Sequence, residues 1–242
     1  MRRIVLKVSG ESFSRPGVSG IDADRVAYNA RQIRMAHEMG REVAVVVGGG
    51  NLVRGSDFQK QGMGRATADQ MGMLATVING LALQDELERR HNVETRLMSA
   101  IHIGEVAEPY IRRRALRHLE KGRIVILAAG TGSPYFTTDT TAALRANEIR
   151  AGLLLKATKV DGVYDDDPAR NPNAALYHRI TYLDVINNRF RVMDSTAITL
   201  CMEYSLPILV FNLLEDGSVR RVLLGEDVGT LITDRFETRL RE

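Results

Sequence analysis

Six short runs of β-branched or apolar residues recur along this chain of 242 residues, at 4–8, 43–47, 95–98, 124–128, 153–155 and 208–211. Runs this short and this continuously apolar suit strands buried on both faces, as in a parallel sheet covered by helices. Between them lie longer stretches of helical periodicity, predicted as helices over 23–39, 66–90, 108–120, 139–149 and 196–204. Asp22 is placed to cap the first helix and Thr138 the fourth, while Gly40 and Gly122 end the first and third. Strands alternating with helices imply an α/β fold, a three-layer α/β/α sandwich around a mostly parallel central sheet. The rhythm breaks at 160–182, where Asp161-Gly162, Asp165-Asp166-Asp167-Pro168 and Asn171-Pro172-Asn173 supply turn residues. A hairpin and a small lobe are predicted there.

Apolar residues make up 44% of the chain and charged residues 26%, which is enough core for one domain spanning 1–242. The net charge is +3, with acidic and basic residues interleaved. The densest basic patch, Arg112-Arg113-Arg114 with Arg117, falls on a predicted helix and reads as a solvated face, so no nucleic-acid partner is expected. Lys7 interrupts the apolar start before it reaches signal-peptide length, and no segment approaches a membrane span. A cytoplasmic location without membrane contact is the expectation. Cys201 stands alone among Ile198, Leu200 and Met202, which excludes an internal disulfide and suggests a packed thiol. The long helix around 66–90 carries Met71, Met73, Leu74, Val77, Ile78, Leu81 and Leu83, more apolar circumference than one core-facing stripe requires. Self-association through that helix is expected.

Ligands of open α/β sheets gather beyond the carboxyl ends of the strands. Four small, polar, glycine-rich segments fall there. Lys7-Val8-Ser9-Gly10 puts a cation and a Cβ-free backbone after the first strand, although an exposed lysine and an ordinary loop glycine fit the same residues. Gly48-Gly49-Gly50-Asn51, with Arg54 close behind, follows the second, and a triple glycine against a buried strand favours anion binding over a plain loop. The segment from Gly130 through Thr131, Gly132, Ser133, Pro134, Tyr135, Phe136, Thr137 and Thr138 to Asp139 offers hydroxyls and amides at a helix start, plus aromatic surface for a base. In the fourth segment Lys156 ends a strand and is followed by Thr158, Lys159 and Tyr164. The acidic residues Asp165 to Asp167 then cap a turn, contact a ribose or help hold Mg²⁺.

Absent motifs narrow the chemistry. No G-x-x-x-x-G-K-[ST] sequence, no dinucleotide-type G-x-G-x-x-G after a strand and no G-x-S-x-G elbow occurs. His37, His91, His102, His118 and His178 are isolated, without metal-ligand spacing.

Taken in order, these segments resemble the amino acid kinase superfamily and, within it, the bacterial uridylate kinases. The most specific pieces are Gly48-Gly49-Gly50-Asn51-Leu52-Val53-Arg54-Gly55, Ala68-Asp69-Gln70-Met71-Gly72-Met73-Leu74-Ala75-Thr76, the Gly130 to Asp139 run and the Lys156 to Tyr164 run. The resemblance implies transfer of the γ-phosphoryl of ATP, with Mg²⁺, to UMP in pyrimidine nucleotide synthesis. It implies that Lys7, Val8, Ser9, Gly10, Gly50 and Arg54 face the ATP phosphates, and that Thr158, Tyr164 and Asp167 hold the adenosine end. Gly49 and Asp69 would contact UMP, with Thr131, Gly132, Ser133, Pro134, Tyr135, Phe136, Thr137 and Thr138 wrapped around its phosphate and base. Lys7, Lys156 and Arg54 would act on the transferred group, and Asp139 and Asp194 would orient the lysines or Mg²⁺. Residues of about 1–150 would form the acceptor side and about 151–242 the ATP side. GTP and UTP are implied as effectors and a homohexamer built from dimers as the assembly, while segments 14–20 and 84–96 depart from the family pattern.

Overall fold

The computed structural model describes residues 2–190 and 192–241; Met1, Arg191 and Glu242 lie outside the described residues. Its elements run β1 (Arg3–Val8), α1 (Ala23–Glu38), β2 (Glu42–Val47), α2 (Gly55–Lys60), α3 (Arg65–Asp85), β3 (Thr95–Ser99), β4 (Glu108–Pro109), α4 (Arg112–Glu120), β5 (Ile124–Ala128) and α5 (Thr138–Glu148). There follow β6 (Leu153–Thr158), β7 (Tyr177–Ile180), α6 (Tyr182–Asn187), α7 (Ser195–Glu203), β8 (Ile208–Asn212), α8 (Ser218–Leu224), β9 (Thr230–Ile232) and β10 (Arg239–Leu240). Among the described residues the strands form one sheet in the order β10-β7-β9-β8-β6-β1-β2-β5-β3-β4. Pairing is parallel throughout, except for β8 with β9 and β7 with β10.

The apolar runs are buried on both faces, for the reason their composition suggested. Alternate residues of β1 divide between two cores: Ile4, Leu6 and Val8 pack with Val26, Ile33, Val77 and Val219 of α1, α3 and α8. Val5 points the other way, to Ala115, Ala142, Ala146 and Ile198 of α4, α5 and α7. The period-two alternation of a strand thus builds the three layers directly. Cys201 is fully buried in the second core, and burial pushes its thiol up to about 12, as a packed rather than reactive sulfur requires.

Several boundaries differ from the sequence reading. The third helix begins at Arg112, because Glu108–Pro109 pairs with β3 as a short strand. A residue preceding proline is pushed out of the helical region, which bars a helix start at 108. Thr137, not Thr138, caps α5; its Oγ1 accepts the amides of Asp139 at 3.0 Å and Thr140 at 3.1 Å. After Asp85 the long helix widens into a π-helical turn over Glu86–Arg90. The predicted hairpin reduces to a single antiparallel bridge, Tyr164 to Leu176, closing an irregular loop. That loop is held by its acidic run: one oxygen each of Asp165, Asp166 and Asp167 accepts a backbone amide, from Ala175, Asp167 and Ala169. Of the roles left open for those carboxylates, turn capping is the one the geometry displays. No described helix is long and apolar enough to cross a membrane.

Candidate active site

Lys7 and Lys156 lie side by side as register partners on the adjacent parallel strands β1 and β6. Each follows the alternation of its strand, so both point to the layer containing α5. Asp139, in the first turn of α5, meets them there. Lys156 Nζ donates to Asp139 Oδ2 at 2.6 Å, and Lys7 Nζ stands 3.0 Å from Asp139 Oδ1, at ion-pair distance. Both lysines are only 8% exposed. Burial pushes the Asp139 carboxyl up, yet the charges of Lys7 and Lys156 more than reverse this and hold it below its ordinary value. Burial also lowers the Lys156 ammonium; Asp139 opposes that shift and Lys7 reinforces it. Two buried cations share one carboxylate, which leaves an excess positive charge suited to a phosphoryl group.

Asp194 does not touch the lysines. It caps α7 through the Ala197 amide at 2.9 Å and accepts the hydroxyls of Thr140, at 2.9 Å, and Thr137. Its place is therefore to tie α7 to the start of α5, so it bears on Asp139 through the helix rather than by contact.

Beside these lysines opens a cavity of about 1070 Å³, walled in part by Lys7, Ser9, Lys156, Thr158, Tyr164 and Asp167. Of the residues expected to face ATP, Val8 is instead fully buried in the first core. Gly10 is buried against the loop after β2, where a Cβ would stand 2.4 Å from the Gly50 amide nitrogen. The glycines of these two loops therefore permit close backbone approach, and only Gly50 of the triple glycine faces open space. Arg54 and Gly50 wall a second cavity of about 450 Å³.

A third cavity, of about 190 Å³, shares Gly50 with the second and is bordered by Gly49, Asp69, Phe136, Thr137 and Thr138. Thr131, Gly132, Ser133, Pro134 and Tyr135 stand outside its wall, on a more exposed loop. That loop is strained: Ala129 at φ 60° and Tyr135 at φ 72° hold left-handed backbone without being glycine. Asp69 helps to hold it, its Oδ2 accepting the Tyr135 amide at 2.8 Å while Arg65 Nε donates to the same carboxylate at 2.8 and 3.0 Å. Phe136 and Tyr135 are 51% and 67% exposed, so they form available surface rather than a core plug.

Two supporting contacts were not foreseen from the sequence. Asn79 on α3 forms a reciprocal amide pair with Asn51, at 2.7 and 3.0 Å, and donates to Gly48 O at 2.8 Å. Thr76 accepts the Ala129 amide at 2.7 Å, tying α3 to the loop after β5. Both are buried polar residues on an otherwise apolar helix face, and that mismatch was the only signal available.

The model of the amino acid kinase family matches residues 2–212. Among solved structures, the UMP kinase from Bacillus anthracis superposes with a TM-score of 0.97 at 40% identity, over 100% of this chain and 99% of that one. The UMP kinase from Ureaplasma parvum gives 0.91 at 39% identity, over 96% and 99%. The uridylate kinase from Archaeoglobus fulgidus gives 0.74 at 26% identity, over 96% and 100%.

Proposed function

We propose a function from one premise: this chain belongs to the amino acid kinase family. It transfers the γ-phosphoryl group of ATP to the phosphate of UMP, giving UDP and ADP. The observation that carries this reading is the end-to-end likeness, at 40% identity, to the UMP kinase from Bacillus anthracis. The Lys7–Asp139–Lys156 cluster supports the reaction type independently.

ATP lies in the larger cavity, its phosphates toward Lys7, Ser9 and Lys156 and its adenosine toward Thr158, Tyr164 and Asp167. UMP enters by the smaller cavity, where Asp69 meets the ribose and the Thr137–Thr138 start of α5 meets the phosphate. A UMP phosphate oxygen is already anionic near neutral pH, so the transfer needs positioning and charge neutralisation rather than a strong base. Lys7 and Lys156 supply the charge, and Asp139 keeps both ammonium groups aimed at the transferred group. Among the described residues no three His, Cys, Asp or Glu side chains gather into a metal-holding group. This suits Mg²⁺, which takes most of its ligands from phosphate oxygens and water. Asp139, the carboxylate shared by the two lysines, would help to hold it. The ion neutralises phosphate charge when bound.

UTP shares its base with the acceptor and its triphosphate with the donor, so it inhibits by occupying the nucleotide site, and GTP acts as an activator. The assembly is a homohexamer built from dimers that form through α3, which leaves Leu74, Ile78 and Leu81 exposed in one stripe. The test is a steady-state assay with ATP and UMP, CMP, dCMP, aspartate, acetylglutamate or carbamate, with and without GTP and UTP. UMP is expected to give the highest kcat/KM, and a carboxylate or carbamate acceptor outrunning it overturns the reading.

A further inference from the structure

Glu11 joins two cations from distant parts of the chain. It sits in the single turn Gly10–Phe13 directly after β1. Its Oε1 accepts Arg54 Nη2 at 2.7 Å, and its Oε2 accepts Lys159 Nζ at 2.6 Å. Arg54 precedes α2 and Lys159 follows β6, so one carboxylate links the loop after β2 to the loop after β6. Glu11 and Lys159 both border the large cavity beside Lys7 and Lys156, and both also border the second cavity, where Arg54 stands.

Stability does not explain this arrangement. The Arg54 and Lys159 side chains are 57% and 55% exposed and Glu11 is 36% exposed, a setting in which ion pairs contribute little. What the geometry does provide is an anion-sized position between two exposed cations, at the junction of the cavities. A carboxylate and a phosphate present the same feature to such cations, two anionic oxygens on one centre. The hydrogen bond from Lys159 and the charges of Lys159, Arg54 and Lys7 outweigh burial and keep the Glu11 carboxyl below its ordinary value, so it remains an anion at neutral pH.

We propose that Glu11 is a displaceable internal anion: with the donor site empty it holds Arg54 and Lys159 together, and the terminal phosphates of the donor nucleotide take its place. Lys159 is thereby a ligand of the donor polyphosphate, and Glu11 is a competitor that sets how tightly the triphosphate binds. This rests on the assignment of the large cavity to ATP.

The test is calorimetric titration of the intact protein with MgATP and with AMP, which lacks the terminal phosphates, alongside steady-state kinetics. Lys159→Ala is expected to weaken ATP binding about tenfold, the loss of one charge-assisted hydrogen bond, while AMP binding stays unchanged. Lys159→Arg restores most of that loss. Glu11→Gln is expected to tighten ATP binding, with KM for ATP falling and KM for UMP constant. Weaker ATP binding in Glu11→Gln overturns the proposal, because a scaffold rather than a competitor would then have been removed. Unchanged ATP affinity in Lys159→Ala overturns it as well. A native protein that binds no ATP at all overturns instead the donor-site assignment beneath it.

Discussion

Lys156 Nζ lies 2.6 Å from Asp139 Oδ2 inside the sheet edge, and the other oxygen of the same carboxylate faces Lys7. Two cations therefore depend on one anion where solvent is nearly excluded. The arrangement is balanced only when a further negative group arrives, which makes it a binding device as well as a structural one.

Replacing Asp139 by Asn leaves two buried ammonium groups without a counter-charge. Breaking a buried pair in this way costs about 3–5 kcal/mol, so a large fall in Tm is expected. The pH dependence has a definite sign. The folded-state pKa of Asp139 lies below its ordinary 3.8, so its contribution is present above that value and lost as pH falls through the lower folded value. Denaturant titrations from about pH 7 down to pH 2 should show a steeper acid loss in the native protein than in Asp139→Asn. Parallel acid limbs would remove Asp139 from the account.

Lys7→Ala behaves in the opposite way. Asp139 keeps Lys156 as its partner, so the remaining pair is one-to-one and Tm should hold or rise. The rate is expected to fall about a hundredfold in kcat, with KM for UMP little changed, as when one transition-state donor is removed. An unchanged kcat would deny Lys7 its place at the transferred group.

Asp69 holds the loop between β5 and α5 through the Tyr135 amide. Asp69→Asn keeps an acceptor oxygen for that amide and Asp69→Ala does not. Both should raise KM for UMP while leaving KM for ATP alone, with Ala the worse by about fivefold, one neutral hydrogen bond. An equal rise in both KM values would indicate general damage instead.

Leu74, Ile78 and Leu81 lie on one outward stripe of α3, 39–50% exposed. Ile78→Glu places a charge in the middle of that stripe without touching the core. Light scattering should show the mass falling toward that of single chains, and an unaltered mass would move the association surface elsewhere on the molecule.

Much of the architecture was legible because its causes are local. Continuous apolar runs name the buried strands, and 3.6-residue periodicity names the helices between them. Helix starts were less secure: Thr137 and Thr138 are chemically equivalent caps, and only the backbone at Thr137, extended at φ −88° and ψ 172°, decides between them. The short elements α2, α6, α8, β4, β7, β9 and β10 were missed. A helix of six residues or a strand of two is stabilised by its neighbours rather than by its own pattern.

The site divides in the same way. The sequence by itself determined which residue types stand at the carboxyl ends of the strands: Lys7, the glycines before Asn51, the threonine-rich start of α5, and Lys156. Those choices are visible because each follows an apolar run at short range. Only the tertiary structure decided that Lys7 and Lys156 are neighbours across two parallel strands and share Asp139. It also turned Asp194 toward α5 and seated Val8 in the core. It closed Glu11 between Arg54 and Lys159, residues 43 and 148 positions away along the chain. Crossover connections bring distant strand ends together, and charges that meet only through such connections leave no periodic trace in the order of residues.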